Sequence, residues 1–240
     1  MTEKDTLYFE LLEALQAGGC ALCRLARKAS DGYLNALMYE GVIDVPLRDE
    51  LRNARGLCYR HAWRMTGRRG SVLGTAIIYR DVVNTLAWVI EEEATAPRRW
   101  RGNMDNLDRR LAPTSECPAC RLEGDAEGRA ATTLLKHLGA QEVADAFAAS
   151  GGPCLPHFRL LLSHAGEKDA RTVALWQGTA LRRLRDELDE LIRKHDYRFQ
   201  REPVTAEEAG AWQRAVAALV GEAEPEDDFP QNSQRSRPAK

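Results

Sequence analysis

Apolar side chains recur along most of this chain at steps of three and four, the spacing of a helix face. In residues 5–17, Leu7, Leu11, Leu12 and Leu15 keep that step until Gly18 and Gly19 stop it. After the polar, glycine-bearing residues 66–71 a long run carries Val72, Ala76, Tyr79, Val83, Leu86 and Ile90 as a single stripe. It predicts a buried helix. A later stripe of Val173, Trp176, Ala180, Leu184, Leu188 and Leu191 has Arg182, Arg183, Arg185, Asp186, Glu187 and Asp189 around it, which predicts a half-exposed one. Thr205 and Glu208 form a capping box ahead of Ala209, Trp212, Val216 and Leu219, so a short helix closes the patterned region. Alternation of the strand type is confined to Val42-Ile43-Asp44-Val45. The fold class is all-α.

The cysteines then change the picture. Cys20-x-x-Cys23 is followed by Cys58-x-x-His61, and Cys117-x-x-Cys120 by Cys154-x-x-His157, which uses all six cysteines. The copies lie 97 residues apart at Cys20 and Cys117 and 96 apart at Cys58 and Cys154, with Cys-x-x-Cys-Arg-Leu repeated in both. A period this long implies a duplicated half-domain instead of a solenoid. We therefore expect two pseudo-symmetric helical halves. Residues 1–96 are the first, 97–116 a linker containing Gly102 and Pro113, and 117–221 the second half with its terminal helix. Residues 222–240 are acidic, then proline-bearing and nearly free of apolar groups, and are expected to be a disordered tail.

Three thiolates and one imidazole form the ligand set of a closed tetrahedral zinc site. Cys20, Cys23, Cys58, His61, Cys117, Cys120, Cys154 and His157 are therefore the expected metal ligands, with two zinc ions per chain. The alternative is an iron–sulfur cluster, although clusters usually take four cysteines. Pro118 and Pro156 suit the first turn of a helix, so each ligand pair is expected at a helix N-terminus, where the helix dipole lowers thiolate pKa. Arg24 and Arg121 stand ready to offset the remaining negative charge. Short loop closure favours pairing within each copy; pairing across the copies would be equally tetrahedral and would entwine the halves. Four ligands leave no open position, so the metals are read as structural, no catalytic residue is named, and a non-enzymatic role is expected.

Composition restricts the rest. A formal charge of -2 gives no global attraction to a polyanion. Arg68, Arg69 and the Arg98-Arg99-Trp100-Arg101 run make a nucleic-acid binder the weaker alternative to a protein partner. No secretory signal opens the chain and no run of about 18 uncharged apolar residues occurs, so a cytoplasmic protein without a membrane span is expected. His137, His164 and His195 are isolated and read as structural or solvated. Trp63, Trp88, Trp176 and Trp212 fall at helical core positions and read as packing.

Cys117-Pro-Ala-Cys-Arg-Leu, Gly56-Leu-Cys-Tyr-Arg-His-Ala-Trp63, Leu73-Gly-Thr-Ala-Ile-Ile-Tyr79 and Lys194-His-Asp-Tyr-Arg-Phe199 with the stretch ending at Trp212 resemble a prokaryotic domain-of-unknown-function family over most of residues 5–221. The resemblance implies no activity. It implies that the Lys194–Phe199 segment is a family signature, a helix-terminating turn that packs the last helix.

Overall fold

The computed structural model describes residues 4–39, 41–95, 100–199 and 201–223, with the side chains of 100–104 left aside. Among these residues the protein is all-α, with eleven α-helices and no strand. In chain order they are α1 (Thr6–Gln16), α2 (Ala21–Tyr39), α3 (Val45–Asn53), α4 (Tyr59–Thr66), α5 (Ser71–Thr95), α6 (Trp100–Leu111), α7 (Pro118–Lys136), α8 (Gln141–Ser150), α9 (Leu155–His164), α10 (Glu167–Lys194) and α11 (Ala206–Val220).

The strand-like segment at 42–45 is not a strand. Gly41–Ile43 is a 3-10 turn, and the Asp44 side chain accepts from Leu47 N–H at 2.8 Å. A capping aspartate followed by Pro46 in the first turn starts a helix, which overrides the β-branched residues. Residues 97–116, expected as a linker, hold α6, whose Arg110 pairs with Glu92 and Glu93 of α5. The sparse apolar positions Leu107 and Leu111 gave too little periodicity to announce it.

Two compact units divide the chain, and they do not follow the halves expected at 1–96 and 117–221. One comprises the chain up to Lys28 together with Glu123–Ala223; the other comprises Ala29–Leu122. The boundaries fall inside α2 and α7, so each of these helices contributes residues to both units. The core of the first gathers Tyr8, Leu11 and Leu15 of α1, Leu22 and Leu25 of α2, Leu134 of α7, Phe147 of α8, Leu161 of α9 and Val173 of α10. That of the second gathers Leu34, Leu37, Leu51, Leu57, Met65 and Ile78. Each such side chain, fully buried, stabilises by roughly 1.5–3 kcal/mol.

In α5 the buried positions are Ser71, Gly74, Ile78, Val82, Val89 and Glu93, one face round from the expected stripe. Val72 is 82% exposed and Val83 61%. The helix is apolar on more than one side, so periodicity alone chose the wrong side. Gly74 settles the matter, since a Cβ there would lie 2.5 Å from the Met38 methyl. By length and composition α5 is long and apolar enough to cross a membrane, with 22% of the apolar window buried. Arg80 and Asp81 at its middle argue otherwise, because a charge at a bilayer centre costs about 2.5–3.5 kcal/mol on insertion scales. Asp81 instead pairs with Arg48, at 3.1 Å, and with Arg52 of α3.

The α10–α11 connection follows the sequence closely. His195 caps α10, its ring Nδ1 lying 2.8 Å from Leu191 O, and Lys194 Nζ donates to both oxygens of Glu208 at 2.7 Å and to Pro203 O at 3.0 Å. The capping box is complete, with Glu208 N–H donating to Thr205 and Thr205 N–H to Glu208. The signature segment is thus a turn that ties α11 to the end of α10. Of the four tryptophans placed in the core, only Trp176 packs there, against Phe147; Trp63, Trp88 and Trp212 are 44%, 59% and 57% exposed.

The Thr205→Ala variant should lose about 1 kcal/mol in denaturant unfolding, the usual cost of an N-cap. The Lys194 ammonium and the Thr205 N–H hold the Glu208 carboxyl below its usual range. Its contribution is therefore complete above the unfolded carboxyl value of about 4.3 and is lost as pH falls through the lower folded value. Melting temperatures of wild type and Glu208→Gln should differ at pH 7 and converge as the pH drops below about 4.

Candidate metal centres

Each of the four ligand pairs begins one residue before a helix and ends at its third residue. Cys20 precedes α2, Cys58 and Cys154 are the N-caps of α4 and α9, and Cys117 precedes α7. The N-cap and third helical positions are those whose side chains converge in a capping box. Here the converging atoms are two sulfurs, or a sulfur and an imidazole nitrogen. Cys58 and Cys154 make no ordinary side-chain cap bond.

The eight residues come together as two groups of four that can hold a metal ion, with the ligand atoms of each group all within 4.8 Å of one another. Cys20, Cys23, Cys154 and His157 form the first centre; Cys58, His61, Cys117 and Cys120 form the second. Each lies within one compact unit. The pairing therefore runs across the two copies of the motif, and the expectation of local pairing is corrected. Its error was to treat the 34 residues between Cys23 and Cys58 as a flexible loop. Residues 24–39, 16 of those 34, belong to α2, a helical run of roughly 24 Å that carries the chain away from Cys23. Loop length itself weighs little, since each doubling costs only about 0.6 kcal/mol.

In the first centre His157 Nδ1 lies 3.1 Å from Cys154 Sγ, 3.2 Å from Cys20 Sγ and 3.3 Å from Cys23 Sγ, and the Cys23 and Cys154 sulfurs are 3.7 Å apart. The other ring nitrogen of His157, Nε2, is 3.1 Å from Glu127 Oε1. Burial opposes a charge on this ring, but hydrogen bonds to the three sulfurs and to Glu127 outweigh it and raise the pKa. Cys20, Cys154 and His157 are buried. In the second centre His61 Nδ1 is 3.2 Å from Cys58 Sγ, 3.4 Å from Cys120 Sγ and 3.7 Å from Cys117 Sγ, with Cys58 and Cys120 sulfurs 3.5 Å apart. Its three cysteines are half-buried.

In the second centre the surroundings pull the Cys117 and Cys120 thiols in opposite directions. Burial raises the Cys117 thiol, but His61 and the backbone amides of Cys58, Cys120 and Ala119 outweigh it and bring the pKa down to about 6. Burial and the neighbouring Cys58 and Cys117 sulfurs push Cys120 up to about 12. Burial, the Glu50 carboxylate and the Cys117 thiolate together raise the nearby Tyr33 phenol above its usual range.

Loops before the ligands are shaped by glycine. Gly19 has φ +70, and a Cβ on it would sit 1.9 Å from Glu222 Oε1, the atom that accepts from Cys20 N–H at 2.7 Å. Gly152 has φ +83 and would collide with Gln177, whose amide donates to Pro153 O. Glu222 and Ala223, expected in a disordered tail, are thus docked: Ala223 O also accepts from Arg27 at 3.1 Å. The rest of that tail, 224–240, lies outside the described residues.

Three more side chains support the centres without belonging to any sequence motif. Arg64, 1% exposed, donates to Ser30 at 3.2 Å and pairs with Asp31, bracing α4 beside the candidate ligand His61. Glu127 and Glu222 carried no local signal, since their partners are remote in sequence. Arg121 pairs with Glu50, and Arg24 donates to Gly18 O at 2.9 Å, so both arginines are engaged outside the sulfur clusters. His137 is buried against the Tyr8 ring, and His164 lies 2.9 Å from Leu160 O within its own helix. With His195 at a helix cap, all three isolated histidines sit in structural settings. Arg68 is spent on Asp31 and Asn35. Arg98 and Arg99 and the side chains of Trp100 and Arg101 lie outside the described residues.

A model of a family of unknown function, DUF6062, matches residues 4–226. Among curated proteins the chain is similar to an uncharacterized 23.9 kDa protein in the xynA 3′ region of Caldicellulosiruptor sp. (strain Rt8B.4), 27% identical over 215 residues that cover 88% of this chain and 99% of the relative. No solved structure matches.

Metal stoichiometry distinguishes cross-copy from local pairing. Serine at Cys20, at Cys154, or at both should each cost one ion per chain, because both residues belong to one centre. Serine at Cys20 and Cys58 together should cost two. Loss of one ion in that second double variant, measured by elemental analysis, would restore local pairing.

Proposed function

The chain belongs to DUF6062, a family that brings no activity with it, and we propose that it is a cytoplasmic helical protein holding two structural zinc ions, one in each compact unit, and serving as a binding or scaffold module. The carrying observation is the spacing of the ligand atoms. Zinc–sulfur bonds of about 2.3 Å and zinc–nitrogen bonds of about 2.0–2.1 Å at tetrahedral angles place sulfurs about 3.8 Å apart and sulfur and nitrogen about 3.6 Å apart. The two centres have sulfur pairs at 3.5 and 3.7 Å and sulfur–nitrogen pairs from 3.1 to 3.7 Å. This fits one ion at the middle of each group. A four-iron cluster binds each protein ligand to a different iron on its outer corners, so its ligands stand further apart.

Four protein ligands fill a tetrahedral ion and leave no position for a reacting water, which supports a structural role. The zinc-binding energy then becomes folding energy for four helix N-termini. A protein partner is favoured over nucleic acid by the exposed apolar groups Val72, Leu73 and Val83 of α5 and Trp212, Val216 and Leu219 of α11, and by the engagement of Arg68 with Asp31. Exposed aromatic and aliphatic side chains grouped on a helix are what protein interfaces use.

Elemental analysis of protein purified without oxygen tests the reading. About two zinc per chain in a colourless protein is expected. Several irons with matching acid-labile sulfide, and a brown colour, would move the function to electron transfer or redox sensing.

A further inference from the structure

Glu127 stands on α7 two helical turns beyond Cys120, but its carboxylate serves the other centre, where Oε1 lies 3.1 Å from His157 Nε2. The opposite ring nitrogen, Nδ1, is the one that faces Cys20, Cys23 and Cys154. An imidazole that ligates through Nδ1 must be neutral and carry its single proton on Nε2. A carboxylate acceptor at Nε2 selects that tautomer, fixes the rotation of the ring about its bond to the chain and makes Nδ1 a stronger donor to the metal. We propose that Glu127 is the positioning residue of the first centre, holding His157 so that Nδ1 is its ligand atom. The proposal rests on the reading of these centres as metal sites.

The surroundings make this contact selective. His157 is 7% exposed and the Glu127 side chain 30%, so the hydrogen bond is shielded on the imidazole side and reached by water only at the carboxylate. Position matters too. Glu127 comes ten residues after Cys117, and the residue ten after Cys20 is Ser30, a buried hydroxyl that accepts from Arg64 at 3.2 Å. The repeated cysteine motif therefore continues into a carboxylate in one copy and a serine in the other. Loss of the Glu127 carboxylate should affect one ion of the two.

The test uses the full chain loaded with two equivalents of zinc and challenged with a graded zinc chelator. Glu127→Ala should hold one of its two ions about 10–100-fold less tightly than wild type, the usual cost of removing a carboxylate behind a ligating histidine. The other ion should be unaffected. Glu127→Gln keeps a carbonyl acceptor and should recover most of the loss. Nitrogen NMR of His157 gives a reading that a merely structural residue would not move: a protected Nε2 proton in wild type and Glu127→Gln, and rapid exchange of that proton in Glu127→Ala. Wild-type zinc affinity in Glu127→Ala, or a His157 ring protonated on Nδ1 in the loaded wild type, would overturn the positioning role alone. A wild-type chain that takes up no metal would overturn the metal reading and this role with it.

Discussion

Everything in this fold hangs on the convergence of helix N-termini in pairs. α2 meets α9 in the first centre and α4 meets α7 in the second, each helix offering its cap position and its third residue. Three thiolates around a dication would leave a charge of about -1, and two helix N-termini contribute roughly half a positive charge each. The helices thus supply the ligands and the compensating field from the same few residues. The two nearby arginines turn out to serve the backbone and a glutamate instead. That division is economical, because a helix N-terminus facing thiolates also satisfies its own orphan amides, as at Cys117, where the amides of Ala119 and Cys120 stabilise the thiolate.

Cross-copy pairing follows from the same arrangement. Cys20 and Cys23 head α2 and Cys117 and Cys120 head α7, two helices of 19 residues that each leave their own ligand pair behind. By the far end of such a rod the chain has entered the other compact unit. The first centre joins residues 131 to 137 apart in sequence and the second residues 56 to 62 apart, so both close long stretches of chain. Contacts of such long range make for slower folding than the local helices would suggest. They also make each centre a junction of distant segments, where a bound metal would couple its binding to completion of the unit.

The two centres share a ligand set but not a setting. The first has two buried cysteines, a carboxylate behind its histidine and the docked end of the chain capping Cys20. The second has half-buried cysteines and a buried arginine, Arg64, bracing the helix that carries its histidine. Replacement of ligands in one is therefore expected to differ in consequence from replacement in the other, even where the substitutions are chemically the same.

The helical class, the eight candidate ligands, their location at helix starts and the turn from Lys194 to the capping box at Thr205 were legible in the order of residues alone. All of these are local: a cap, a proline or a three-and-four periodicity is complete within a few residues. Tertiary structure decided what local signals cannot contain. Which pairs of ligands meet could not be read from the number of residues between motifs, because nearly half of the residues between Cys23 and Cys58 belong to α2. Which face of α5 is buried depended on Gly74 meeting Met38, since the helix has apolar residues on more than one side. Glu127, Arg64 and Glu222 acquire their roles only through partners at sequence distances of 30, 33 or 34, and 202 residues, as polar residues in a sequence where polar residues are everywhere.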